Sequence, residues 1–262
     1  MALRQNDLGN DDIKQLVRRL AIPSMLAQFV NVLYSIVDRM YIGNIKDVGE
    51  IALAGAGVCG PIVTLISSFA FLIGIGGAPL MAIRMGENNH EGAKKILANC
   101  FVMLLGLSTI LTAAAIALRE PMLMFFGASE QTFPYANSYL TYYVSGTVFA
   151  ILTAGLGQFI TCQGFAKTSM LTVLIGAVLN TVLDPLFMFA LNMGVQGAAL
   201  ATLISQAVSA IWVVCFLTGK KTILKLRPVN LRLNWKRLGP CVALGLAPFI
   251  MQSTESLIAV CF

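Results

Sequence analysis

The sequence predicts an all-α integral membrane protein built on a six-helix transmembrane lobe. Three observations carry that class. Of 262 residues, 57% are hydrophobic and only 11% are charged, whereas a soluble domain carries about 25% charge. The apolar runs reach or exceed the roughly 20 residues that a helix needs to cross a bilayer. Their periodicity is helical, not the alternating pattern of a membrane barrel.

The elements follow in order. The N-terminus, MALRQNDLGNDDIKQLVRRL, is too polar for a cleaved signal peptide. Residues 1–13 therefore read as a tail, and the first span as the insertion signal. Six spans are expected over 14–43, 51–85, 92–118, 132–163, 167–190 and 194–218, forming a lobe over 14–219. Turn residues separate them: GNIKDVGE, MGENNHEG, REPMLMFFGASEQ, QGFAK and ALNMGVQGA. Residues 220–236 are basic and amphipathic. They read as a connector lying on the membrane surface, or as a solvated basic loop.

A seventh span opens near 237 and runs to Phe262. Its pattern echoes the first: Pro248, Gln252 and Glu255 follow Pro23, Gln28 and Asn31 with a one-residue slip. The expectation is a chain that begins a second copy of its six-helix unit, as the first part of a protein nearly twice as long.

Lys and Arg set the orientation. Arg4, Lys14, Arg18 and Arg19 precede the first span, and Arg84, Lys94 and Lys95 flank the second loop. Lys167 sits in the fourth, and the connector is the most basic segment. The opposite side has Lys46 and Arg119, with Arg39 near the end of span one. This predicts a cytoplasmic N-terminus in a cell membrane. The +6 net charge is then a topology signal, and no nucleic-acid partner is expected.

Catalytic chemistry finds little material. The one histidine, His90, lies in a polar loop, against a multi-histidine metal site or Ser-His and Cys-His catalysis. The six cysteines fall in or beside apolar runs without a CxxC pair, as small apolar packers. No enzyme, cofactor or resident metal is expected.

Polar residues inside the spans carry the functional signal. Asp38, Asp184 and Glu255 sit within apolar runs, where burying each costs at least ~2.5–3.5 kcal/mol. At about 1.5 Å per residue, Asp38, Asp184 and Thr202 all fall roughly 8–12 Å below the outer rim. Asn180 and Asp184 are four apart and share a helix face, as do Thr202 and Gln206. Such an oxygen-rich set suits a small hard cation such as Na⁺. It equally suits a proton held between two carboxyls, because neighbouring carboxylates cannot both ionise cheaply. Pro185 removes a backbone donor directly after Asp184, so that helix can bend there. Tyr34, Tyr139, Tyr142 and Tyr143, with Met25, Met103, Met170 and Met188, offer an aromatic and sulfur-rich wall suited to large lipophilic cations.

IPSMLAQFVNVLYSIVDRMYIG in span one and NTVLDPLFMFALNMGVQGAALATLISQ across spans five and six resemble the multidrug and toxic compound extrusion (MATE) family. GLAPFIMQSTESL in span seven is similar to the family as well. The resemblance implies a twelve-span, two-lobe transporter facing a central cavity, of which this chain supplies the N-lobe, connector and start of span seven. It implies export of cationic or amphipathic compounds driven by H⁺ or Na⁺, with the missing C-terminal lobe required. The family's N-lobe cation site maps onto Asp38, Asn180, Asp184 and Thr202. Tyr139 resembles a cavity-lining position, and Glu255 matches a span-seven acid that some members use. Tyr34, Asn31, Gln28 and Gln206 complete the candidate cavity, and Pro185 is its candidate hinge. Two alternatives remain at this stage: a lipid-linked oligosaccharide flippase of the same superfamily, or a non-transporting half-protein. The near absence of intramembrane Arg counts against the flippase, whose substrates carry pyrophosphate.

Overall fold

The computed structural model describes residues 12–227 and 233–261. Most of the expected 1–13 tail, the middle of the 220–236 connector and Phe262 lie outside the described residues. Nine helices follow in order among the described residues: α1 Ile13–Gly43, α2 Gly49–Gly86, α3 His90–Ala117, α4 Arg119–Phe125, α5 Phe133–Ser145, α6 Thr147–Cys162, α7 Ala166–Pro185, α8 Val195–Thr218 and α9 Trp235–Cys261. A π-helical turn, Leu186–Ala190, extends α7. Six helices are long and apolar enough to cross a membrane: α1, α2, α3, α7 with its π turn, α8 and α9. The pair α5 and α6 makes a seventh candidate span.

Two elements differ from expectation. The fourth span is not one helix, because α5 and α6 meet at 56°. The break falls at Ser145-Gly146. Ser145 Oγ donates back to the Thr141 carbonyl at 2.9 Å, and Gly/Ser pairs are frequent kink sites. Gly146 lets the bent backbone lie against α8, since a Cβ there would stand 3.1 Å from Leu203 Cγ. The segment REPMLMFFGASEQ, read as a turn, contains α4. Pro121 sits in its first turn, where no N–H is needed, and Leu123 is buried beneath it. Gly127 closes the helix at φ +94°, a conformation glycine adopts without strain.

The core has two parts. The larger joins α2, α3, α6 and α8 through Ile62, Leu97, Leu104, Ile151, Leu156, Phe159 and Val213. A smaller cluster of Ile42, Ala52, Met188, Val195 and Ala198 joins α1, α2, the π turn and α8. Met188, read from sequence as adaptable wall, is therefore a packed core residue.

Helix α9 lies directly on α2. A Cβ at Gly76 would collide with the Cys241 carbonyl oxygen, and one at Gly245 with that of Leu72. The two backbones touch. Ser256 Oγ donates to the Pro61 carbonyl at 2.6 Å, and the Ser253 and Ser68 hydroxyls are 3.2 Å apart. The segment between α8 and α9 is also tied to the helices. Gln163 Oε1 accepts from Thr222 Oγ1 and from the Leu224 N–H, each at 2.9 Å. Asn99 Oδ1 accepts from the Asn234 N–H at 2.6 Å. Trp235, by contrast, is solvent- or lipid-facing.

Candidate functional site

Three neighbouring helices assemble the site. Helix α7 packs between α1 and α8. Helix α1 presents Tyr34 and Asp38, α7 presents Asn180 and Asp184, and α8 presents Thr202 and Gln206. Each pair is four residues apart and so shares a helix face.

Local sequence explains how α7 and α8 approach. Pro185 has no N–H to continue the α-helical ladder. The chain answers with a wider turn in which the Leu191 N–H bonds Leu186 O at 3.0 Å. Such π turns re-satisfy backbone groups that proline frees. Gly194 then reverses the chain at φ +56°, ψ −133°, a region open to glycine alone. Gly197 lets α8 begin against the π turn, since a Cβ there would sit 2.8 Å from Met188 N. Lower down, Ser209 Oγ donates to the Thr172 carbonyl at 3.3 Å.

The amide of Asn180 joins the two helices. Its Nδ2 donates to Asp184 Oδ1 at 3.1 Å and to Thr202 Oγ1 at 3.2 Å. Both amide hydrogens are used, so the amide orientation is fixed. Asn180 is 2% exposed, Asp184 0% and Thr202 8%. Asp38 is half-buried, and its charge acts on Asp184 across the α1–α7 contact.

Three oxygens here accept no hydrogen bond from the described residues. Asp38 Oδ1, Asn180 Oδ1 and Asp184 Oδ2 are all buried without a hydrogen bond among the described residues. Orphaned buried acceptors cost about 1–3 kcal/mol each in proteins. All three are hard oxygen donors, and two belong to carboxyls that share one electrostatic environment. That donor set fits a small hard cation or a proton.

The other expected residues divide. Tyr34 is half-buried and within electrostatic reach of both Asp38 and Asp184. Tyr139 is half-buried, within reach of Asp38, and stacks on Tyr143 with ring centroids 6.1 Å apart and planes 14° from parallel. Gln206 is half-buried, one turn from Thr202. Gln28 and Asn31 lie exposed on α1, earlier in the helix than Tyr34. Glu255 is exposed on α9 and accepts from Gln252 Nε2 at 2.8 Å. No hydrogen bond among the described residues joins Glu255 to the Asp38–Asp184 cluster. Sequence reasoning passed over Thr172 and Ser209, although their placement on facing helices left a weak signal.

Known proteins share this architecture. The family model described as MatE matches residues 23–186. The chain is 30% identical over 213 residues to a probable multidrug resistance protein, YpnP, of Bacillus subtilis, covering 80% of this chain and 47% of that protein. It is 26% identical over 239 residues to a FAD transporter of Shewanella oneidensis, covering 86% of this chain and 51% of that one. A solved outward-facing structure of a multidrug resistance MATE family transporter of the MOP superfamily superposes with a TM-score of 0.87 at 26% identity, over 94% of this chain and 54% of that one. The chain thus spans about half the length of the relatives it matches.

Proposed function

This chain belongs to the MatE family, and we propose that it is the N-terminal lobe, with the connector and first helix of a second lobe, of a twelve-span exporter of cationic or amphipathic compounds. Proteins of this family are transporters, not enzymes. In the proposed cycle H⁺ or Na⁺ enters at Asp38, Asn180, Asp184 and Thr202, and drug leaves through the cavity between the lobes. The proposed protein sits in the cell membrane with its N-terminus cytoplasmic, as the distribution of Lys and Arg supports. Segments 14–219 and 220–236 serve as lobe and connector, and the absent lobe is required for transport.

The observation that carries this reading is the set of three buried oxygens on α1 and α7 that accept no hydrogen bond from the described residues. A bound cation coordinates them, or a proton neutralises one of the two carboxyls, and either removes the charge repulsion between Asp38 and Asp184. Helices α1 and α7 then repack, with the π turn after Pro185 as the point of give. Coupling requires that the ion bind the two conformations with different affinity. Tyr34, Tyr139, Gln206, Asn31, Gln28 and Glu255 are proposed to face the substrate path.

The test reconstitutes the full-length transporter in liposomes and imposes H⁺ and Na⁺ gradients separately, following a lipophilic cation dye. FAD serves as an anionic competitor, since one relative is named for it. Dye movement driven by one of the two gradients and unaffected by FAD is expected. Dye movement under neither gradient overturns the antiport reading, and competition by FAD overturns the cationic substrate.

A further inference from the structure

A second feature lies at the far end of the same helix pair from the carboxylates. An open cleft of about 350 Å³ lies along the first three turns of α1 beside the start of α7, lined by Gln15, Arg18, Arg19, Ile22, Pro23 and Lys167. Three of these six side chains are cationic and none is acidic. Arg18 and Lys167 enter no ion pair with another described residue. Gln15 and Arg19 are linked by a 3.4 Å hydrogen bond, which keeps the amide beside the guanidinium.

The lining is graded along the helix axis. Gln15 and Arg18 lie in the first two turns of α1, and Lys167 is the second residue of α7. Ile22 lies one turn beyond Arg18 on the same face of α1, about 6 Å deeper at the helical rise, with the Pro23 ring beside it. Cations at the helix ends, with a half-exposed Ile22 and the buried Pro23 further along the span, match an anionic head with an attached hydrocarbon chain. A free anion uses the cations alone and gains nothing from Ile22 and Pro23. We propose that this cleft binds an anionic phospholipid of the inner leaflet, with its phosphate between Arg18 and Lys167 and an acyl chain running over Ile22 and Pro23. The proposal rests on the orientation adopted above, which puts this end of α1 in the leaflet where anionic lipids concentrate. The lipid bridges the basal ends of α1 and α7, the two helices whose other ends carry Asp38 and Asp184.

Native mass spectrometry of the full-length transporter in non-ionic detergent tests this without any ion gradient, so it can fail while the antiport reading stands. Phosphatidylglycerol, phosphatidylcholine of the same acyl chains, and inorganic phosphate are titrated in turn. Wild type is expected to retain phosphatidylglycerol preferentially. Arg18→Gln and Lys167→Gln should each weaken retention about fivefold, and the pair about twenty-five-fold. Arg18→Lys with Lys167→Arg keeps both charges and should bind as wild type, which separates charge loss from misfolding. Lys220→Gln with Lys221→Gln removes two cations outside the cleft and should change little. Three results overturn the proposal: equal retention of the two lipids, equal loss in the Lys220/Lys221 control, or displacement of the lipid by millimolar phosphate.

Discussion

Asn180→Ala probes the hydrogen-bonded unit that holds the site together. Asn180 is buried and spends both amide hydrogens, one on Asp184 Oδ1 at 3.1 Å and one on Thr202 Oγ1 at 3.2 Å. Only the bond to Thr202 crosses between helices, and such bonds in membrane proteins average about 0.6 kcal/mol. The larger cost is Asp184, whose Oδ2 already accepts no hydrogen bond from the described residues and whose Oδ1 then loses its donor, at about 1–3 kcal/mol. Together these give about 2–4 kcal/mol. Thr202→Ala breaks only one of the two bonds and leaves Asp184 covered, so about 0.6 kcal/mol is expected. Because one nitrogen serves both partners, the double variant should fall short of additivity by about 0.5 kcal/mol. Reversible unfolding in mixed micelles reads all three. An Asn180→Ala variant within about 0.5 kcal/mol of wild type, with additive behaviour toward Thr202→Ala, refutes the reasoning.

Three further outcomes follow from the packing. Gly245→Val drives a side chain into the Leu72 carbonyl and should destabilise the α2–α9 contact by about 1–3 kcal/mol, read as a lowered Tm; an unchanged Tm contradicts the backbone contact. Gln163→Ala removes the acceptor shared by Thr222 and Leu224, so the Leu224 amide should exchange at least about tenfold faster by hydrogen exchange. Pro185→Ala restores an N–H at the end of α7; it should stabilise the protein by about 1 kcal/mol or more while slowing dye export in liposomes, and faster export contradicts the hinge role.

Which features were legible depended on whether their signal was local. Asn180 and Asp184 are one turn apart, and Thr202 follows across a short turn, so spacing and depth along the sequence brought them together. The span limits were equally local, being set by turn residues such as those of MGENNHEG, where Asn88 takes φ 57° and Asn89 caps α3 by accepting from the Gly92 N–H at 2.9 Å. The bend at Ser145-Gly146 was hidden, because small residues inside an apolar run look the same in a straight helix. Gln163 and Asn99 were hidden for another reason. Each is a lone polar residue whose partner lies 59 to 135 positions away, and nothing periodic announces such a pair. The seating of α9 on α2 is of the same kind. Gly76 and Gly245 are visible as glycines, but their close approach belongs to the tertiary fold. Glu255 was singled out as an acid within an apolar run and by its match to a span-seven acid of the family; its exposed position beside Gln252 depends on which face of α9 meets α2.

The central claim is that Asp38 and Asp184 jointly hold one exchangeable cation. Equilibrium binding tests it most directly, with isotopic Na⁺ binding and potentiometric proton uptake measured on the same purified protein. Wild type should bind one Na⁺, or take up one proton, that Asp184→Asn loses and Asp38→Asn weakens, with helical content unchanged in both variants. Binding and proton uptake identical to wild type in both variants would contradict the account.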